Sequence, residues 1–276
     1  SGTFQKIGSN LVRFGGANTF TWNMGAGGLI DVQQGTLKGS DFNRAVWTDN
    51  LASLNVEQGA TFNGVEGNVR VDALTGAGVI SSGFNPAGTA YKNFTFDVNN
   101  GSGVFNGIIQ NGNFAGNFVK LGTGTQVLAG ANTYTGATTV EAGTLRVTVA
   151  GVLGSGLYSG AIAISDGASF DYLSSAAQTL SGDVSGAGAL TKDVSAASTL
   201  TLSGTNTYTG ATTVSAGTLR AGSTTAFGSN SAVTTNGTLD LNGFDISVGS
   251  LAGSGAVSSS TVTTRTLTTG GDNTST

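Results

Sequence analysis

Apolar and polar residues alternate at a spacing of two along many short segments of the chain. Leu200 and Leu202 show this pattern, as do Leu145 and Val147. This spacing is typical of a β-strand with one face buried. Asn-Gly and Gly-rich turns separate the segments, and the long windows rich in Ala, Leu, Glu and Lys that build helices are missing. The sequence therefore predicts an all-β fold of short strands.

The chain also repeats itself. Residues 199–220 align with residues 125–146, and Asn132–Val140 is identical to Asn206–Val214. A more divergent third copy starts at Leu11. Short strands joined by Asn-Gly turns are also compatible with the hairpins of a sandwich. Repetition favours a solenoid, because each unit of a solenoid buries its apolar face on its neighbours.

We therefore predict a right-handed, single-stranded parallel β-helix of roughly twelve coils, at about 22 residues per coil. One continuous domain is expected over residues 1–276, in three approximate units with an irregular insertion at 81–93. The units are 4–117, 118–189 and 190–276, the last of them truncated.

Composition and charge narrow the functional classes. The chain has 46 Gly, 9% charged residues, no His, no Cys and a formal net charge of −4. The missing His and Cys exclude disulfides, thiolate or imidazole metal sites and a Ser-His-Asp triad. The acidic balance argues against nucleic acid, and no apolar run is long enough for a membrane-spanning helix. We expect no enzyme, no cofactor and no metal.

The repeats carry a resemblance to a known family. Leu190–Lys192 followed by Thr199–Leu219, with its counterpart from Phe118 to Leu145, resembles the autotransporter-associated β-strand repeat, which is the passenger-associated transport repeat of type V secretion. The resemblance implies an extracellular passenger on the surface of a Gram-negative bacterium. It also implies a passenger fragment without its translocator barrel, and a chain without Cys suits passage through a narrow pore.

The repeated Asn-Thr-Tyr-Thr-Gly and Gly-Thr-Leu segments are candidate structural residues. Repeated Asn and Tyr side chains are also compatible with a sugar site, but copies 74 residues apart cannot form a continuous ladder. We expect a turn in which Asn takes a positive φ and the aromatic ring closes the core. The residues in question are Asn132, Tyr134, Gly136, Gly143, Leu145, Asn206, Tyr208, Gly210, Gly217 and Leu219.

Candidate residues for contact with a binding partner lie in the irregular regions. Four aromatic side chains there are expected to lie outside the regular core. Exposed aromatic residues favour contact with a protein or a glycan. These residues are Trp22, Trp47, Phe84 and Tyr91. Threonine-rich segments such as Thr261–Thr269 are expected on isolated coils. An ordered face of hydroxyl groups needs threonine on the same face of consecutive coils, so we expect no such face.

The sequence leaves several functions open. The first hypothesis is a structural and interaction protein, an adhesin or self-associating passenger that contacts other cells, host surfaces or a biofilm matrix. A second hypothesis is a β-helical stalk for an enzymatic domain outside this fragment. A third is a surface filament subunit, because open strand edges can template another chain.

Overall fold

The computed structural model describes residues 2–14, 19–40, 45–83, 93–194, 198–228, 230–262 and 264–271. The protein is all-β, and its parallel strands stack as a β-solenoid of about eleven turns. The predicted parallel β-helix is confirmed. The chain falls into two compact units, Ser1–Thr139 and Val140–Thr276.

The first unit contains sixteen strands within its described residues, and a further strand, β17 (Thr138–Val140), lies at its boundary. They are β1 (Thr3–Lys6), β2 (Leu11–Arg13), β3 (Phe20–Thr21), β4 (Leu29–Val32), β5 (Thr36–Lys38), β6 (Ala45–Val46), β7 (Ser53–Val56), β8 (Thr61–Asn63), β9 (Val69–Arg70), β10 (Leu74–Gly76), β11 (Val79–Ser82), β12 (Asn93–Phe96), β13 (Gly103–Phe105), β14 (Ile108–Asn111), β15 (Asn117–Lys120) and β16 (Thr125–Leu128).

Each coil of the first unit contributes strands to sheets that run along the stack. One sheet has the order β1-β4-β7-β10-β13-β16, and a second has the order β2-β5-β8-β11-β14. Strands β9, β12 and β15 form a third ladder, and β3 pairs with β6. Inward positions align from coil to coil, as in the stack Leu37, Phe62, Ile80 and Ile109. These four side chains are fully buried, so the core is a column of stacked apolar residues.

The second unit contains strands β18 to β33 and one 3-10 turn, Gly154–Gly156; no α-helix occurs among the residues placed by the structure. The strands are β18 (Thr144–Val149), β19 (Leu157–Tyr158), β20 (Ile162–Ile164), β21 (Ser169–Ser174), β22 (Gln178–Leu180), β23 (Val184–Ser185), β24 (Ala189–Lys192), β25 (Thr199–Leu202), β26 (Thr212–Val214), β27 (Thr218–Ala221), β28 (Ala232–Thr235), β29 (Thr238–Asp240), β30 (Ile246–Ser247), β31 (Ser250–Ala252), β32 (Ala256–Ser258) and β33 (Leu267–Thr268).

Two long ladders organise the second unit. One has the order β18-β21-β24-β26-β28-β31 and the other β19-β22-β25-β27-β29-β32, while β20 pairs with β23 and β30 with β33. Leu200, Leu219 and Leu239 stack inward in consecutive coils and are fully buried. The spacing of two in the sequence therefore predicts the inward face correctly.

Part of the expected insertion at 81–93 belongs to regular structure. Ser81 and Ser82 are buried at the end of β11, and Asn93 begins β12. Residues 84–92 lie outside the described part of the chain.

Candidate functional site

The repeated Asn residues connect neighbouring coils through their buried side chains. Asn132 Oδ1 accepts a hydrogen bond from the backbone N–H of Ile109 at 3.0 Å, and Asn206 Oδ1 accepts one from Val184 at 2.8 Å. Asn206 Nδ2 donates to the carbonyl of Ala226 at 2.8 Å. The expectation of a positive φ at these two Asn residues is wrong. Their role is to satisfy buried backbone groups of adjacent coils through the side-chain amide.

The repeated Tyr residues lie within the core. Tyr134 and Tyr208 are fully buried, and their hydroxyls share hydrogen bonds with Thr138 (2.9 Å) and Thr212 (2.8 Å), four residues later in each copy. Burial raises the pKa of Tyr208, with a smaller opposing effect from its hydrogen bonds. Neither hydroxyl faces solvent, so the Asn-Thr-Tyr segment offers no sugar site at these rings.

The Gly that ends this segment is required by close coil packing. A Cβ at Gly136 would lie 2.1 Å from the carbonyl oxygen of Gly116, and one at Gly210 would lie 1.9 Å from that of Gly188. No side chain fits at that separation. The packing of one coil on the next therefore accounts for the Asn, Tyr and Gly residues of the Asn-Thr-Tyr-Thr-Gly motif.

The Gly-Thr-Leu segments combine a left-handed turn with a core position. Gly143 and Gly217 have φ values of 61° and 75°, which favour glycine. Leu145 and Leu219, two residues later, are fully buried. The turn thus directs each leucine into the column of stacked residues.

The expectation that Trp22 and Trp47 lie outside the core is wrong. Their exposed fractions are 3% and 2%, and their rings stack with centroids 4.8 Å apart. The physical reason is register: β3 pairs with β6, so the residue that follows each strand occupies an equivalent inward position in successive coils. Trp22 Nε1 donates to the carbonyl of Gly39 at 3.0 Å. In this arrangement neither indole presents a face to a partner.

These two indoles belong to an aromatic stack inside the first unit. The stack continues from Trp47 through Phe62, Phe94 and Phe118 to Tyr134, with centroid separations between 4.3 and 6.1 Å. Phe84 and Tyr91, the other two candidates for contact, lie outside the described residues.

Threonine rows are more regular than the sequence suggested. Thr191, Thr213 and Thr234 align in three consecutive coils on one outward face. Thr199, Thr218 and Thr238 align likewise on another. The expectation of isolated coils is wrong, because strands with different spacing in the sequence fall into the same register. Each row continues into an alanine, Ala252 or Ala256.

Two Arg–Asp ion pairs on the outward face connect side chains of neighbouring strands. Arg146 contacts Asp171 at 2.9 Å, and Arg220 contacts Asp240 at 2.7 Å. Asp240 also accepts hydrogen bonds from the N–H groups of Asn242 (3.0 Å) and Ser260 (2.9 Å). Burial acts to raise the pKa of Asp240, but Arg220 and these hydrogen bonds together bring that pKa below its ordinary value.

Buried lysines at strand ends were missed in the sequence. Lys6 Nζ donates to the carbonyls of Gly8 (2.5 Å) and Gln34 (2.8 Å), and Lys192 Nζ donates to those of Val194 (3.1 Å) and Ala216 (3.4 Å). Each ammonium thus joins the turn of its own coil to the next coil. The signal was present, because Lys follows an apolar residue by two positions at both sites.

A third buried lysine contacts a carboxylate. Lys120 Nζ lies 2.8 Å from Asp97 Oδ2, and both side chains are 0% exposed. Lys120 also donates to the carbonyl of Gly122. Asp97 follows β12 directly and has a φ of 59°, and Lys120 ends β15, the next strand of the same ladder.

A second carboxylate lies in the preceding coil. The N–H of Asp97 donates to the backbone carbonyl of Asp72 at 3.0 Å, and Asp72 Oδ1 accepts hydrogen bonds from Asn99 (2.9 Å) and Gly101 (2.8 Å). Burial raises the pKa of Asp97 to about 6; Lys120 opposes this rise and the Asp72 charge adds to it. Three successive coils thus bring two acids and one amine together.

Two further kinds of functional feature are missing from the described ranges. Within them, no group of three or more Asp or Glu side chains is arranged to hold a metal ion. No helix there is long and apolar enough to cross a membrane.

The two clear copies of the repeat match a known family of protein repeats. The model of the passenger-associated-transport-repeat matches residues 118–147 and 197–221. No curated protein and no solved structure matched the chain.

Proposed function

Because this chain carries passenger-associated-transport repeats and its β-solenoid matches an autotransporter passenger, we propose that it is an adhesin or self-associating passenger displayed on a Gram-negative cell. The repeat-built solenoid is the observation that carries this proposal. Its Asn, Tyr and Gly residues are used inside the stack, so the repeat serves to extend a scaffold. What the scaffold offers to a partner is its outward rows.

The outward rows support contact with a surface or with a second copy. Thr191, Thr213 and Thr234 present the same side chain in consecutive coils. Identical groups at regular intervals allow weak contacts to add along the row. The partner class we propose is a protein or glycan of a host or bacterial surface, or a second copy of the chain. Nucleic acid is disfavoured by the net charge of −4.

Surface display tests the proposal. The chain would be fused to a translocator in a non-clumping Gram-negative host, and settling rate and attachment to coated surfaces would be measured. The translocator alone is the control. We expect faster settling or stronger attachment, together with labelling of the chain on intact cells by an antibody, which does not cross the outer membrane. Display that alters neither settling nor attachment would contradict the proposal.

Two variants separate a folded passenger from a merely exported chain. Leu202 is fully buried and the neighbouring Thr201 points outward. Leu202→Asp is expected to abolish the adhesive effect, because it breaks the stack. Thr201→Asp is expected to retain it. Equal adhesion by both variants at equal display would indicate that the effect does not depend on the solenoid.

A further inference from the structure

The pair formed by Lys120 and Asp97 has the arrangement needed for a covalent bond between side chains. We propose that the Lys120 amine and the Asp97 carboxyl group condense to an amide, an intramolecular isopeptide bond that joins two consecutive coils of the first unit. The geometry of the pair permits this bond whether or not the chain acts as an adhesin.

Proximity is the first condition, and it is met. Nζ lies 2.8 Å from Oδ2, which holds the nitrogen close to Cγ, the atom it would attack. The stacked strands fix both side chains, because β12 and β15 are paired and Phe96 aligns with Lys120. A reaction between groups held in this way behaves as a unimolecular step with a large effective concentration.

Burial is the second condition. On a protein surface, an ammonium and a carboxylate are both charged and hydrated, so neither reacts. Here both side chains are fully buried, and Phe94, Phe96 and Phe118 lie on the same paired strands. Burial disfavours the charged form of the Asp97 carboxyl group and so favours the reactive carboxylic acid. The exclusion of water also protects the product from hydrolysis.

The carboxyl group itself is poorly stabilised as an anion. Asp97 Oδ1 is buried and makes no hydrogen bond to any residue whose position is described. The negative charge of Asp72 further opposes ionisation of Asp97 and so favours the reactive acid. Asp72 is itself held by two backbone N–H groups, which keeps it beside the pair. It is a positioning residue that acts through Asp97.

The reaction balances with the two residues alone. The Lys120 ammonium passes one proton to the Asp97 carboxylate, which gives an amine and a carboxylic acid. The nitrogen lone pair attacks Cγ and forms the C–N bond. The hydroxyl group then leaves with a proton from the nitrogen as one water molecule. No oxidant or further reactant is needed, and the bond can form only after the coils have stacked.

Two other buried lysines provide an internal comparison. Lys6 and Lys192 also end strands and are buried, but their hydrogen-bond partners are backbone carbonyls. A backbone amide offers no carboxyl group for condensation. Cross-linking is therefore expected at Lys120 and at neither of these two.

Intact-mass measurement of the purified, folded chain tests the proposal. We expect a mass lower than that of the sequence by about 18 Da, the mass of one water, and a branched peptide that joins Lys120 to Asp97 after digestion. Lys120→Arg and Asp97→Ala should restore the full mass. Lys192→Arg, the matched control, should retain the deficit.

The role of Asp72 is tested by rate. Chain recovered unfolded in urea would be refolded, and the mass deficit followed over time. Asp72→Asn is expected to slow its appearance at least about tenfold, the size of a modest electrostatic contribution. An equal rate would exclude Asp72 from the mechanism. Wild-type chain that is β-structured by circular dichroism and protease-resistant, yet has the full sequence mass, would overturn the isopeptide proposal.

Discussion

The ammonium of Lys192 occupies the space that a side chain at Gly217 would need. A Cβ at Gly217 would lie 2.7 Å from Lys192 Nζ and 2.7 Å from the carbonyl oxygen of Val194. Gly217 also has a φ of 75°. Two constraints therefore require glycine at this position of the Gly-Thr-Leu segment: its backbone conformation and the buried lysine of the preceding coil.

Gly217→Ala is expected to destabilise the second unit more than an alanine at a comparable turn. The backbone strain costs about 1 to 2 kcal/mol, and crowding against fixed backbone raises the total to about 2 to 5 kcal/mol. Gly167→Ala is the matched control, since Gly167 has a φ of 74° and open space around its Cβ position. Urea unfolding of both variants measures the difference. Equal losses would show that Lys192 and the neighbouring carbonyl groups move away from the new methyl group at no cost in free energy.

Asn206→Ala is expected to lower the free energy of unfolding by about 2 to 4 kcal/mol, because it leaves two buried backbone groups without a partner. These groups are the N–H of Val184 and the carbonyl of Ala226. Asn236→Ala is the control, because Asn236 is exposed and water can replace its Oδ1 as the acceptor for the N–H of Ser254. Thermal unfolding would measure both. A loss at Asn206 no larger than at Asn236 would contradict the inter-coil role.

The sequence predicted the strands and the repeat more completely than it predicted the core. Alternation at a spacing of two identifies the inward leucines, because a strand places successive side chains on opposite faces. Copies of one segment likewise identify the buried Tyr134 and Tyr208 as equivalent. Both patterns are local in the sequence, so they can be recognised without knowing which coils are neighbours.

Contacts between coils could not be predicted in the same way, because they depend on register. Trp22 and Trp47 stack only because β3 pairs with β6. Lys120 meets Asp97 for the same reason, through the pairing of β12 and β15. The coil length varies along the chain, from 26 residues between Thr3 and Leu29 to 18 residues between Ala232 and Ser250, so spacing in the sequence does not identify which residues meet. A buried lysine also runs against composition-based expectation, since lysine is seldom fully buried without a partner.

Acid is expected to weaken the second unit through Asp240. The pKa of Asp240 in the folded chain lies below its ordinary value of 3.8. The stabilisation by Arg220 and the two backbone N–H groups is therefore present above pH 3.8 and is lost as the pH falls through the lower, folded-state pKa. Asp240→Asn should cost about 1 to 3 kcal/mol at neutral pH.

The difference between wild type and Asp240→Asn should shrink as the solution is acidified, because the protonated aspartate no longer pairs with Arg220. Urea unfolding at a series of pH values from neutral to strongly acidic measures this convergence. A difference that stays constant over the series would mean that the carboxylate charge contributes nothing at this site.

The strand register of β25 predicts losses of very different size for two adjacent substitutions. Leu202 is fully buried and aligns with Leu180 and Ala221 in the neighbouring coils. Leu202→Asp places a charge without a partner in this column, and we expect a loss of at least about 4 kcal/mol in the free energy of unfolding.

Thr201→Asp, one residue earlier, should cost less than about 1 kcal/mol. Thr201 faces outward and aligns with Arg220, so an aspartate there gains an opposite charge across the strands. Urea unfolding and hydrogen exchange of β25 in the two variants would measure the contrast. Because successive side chains of a strand point to opposite faces, a shift of the strand by one residue would reverse the two losses. Either reversed or equal losses would contradict the assignment of the inward column in the second unit.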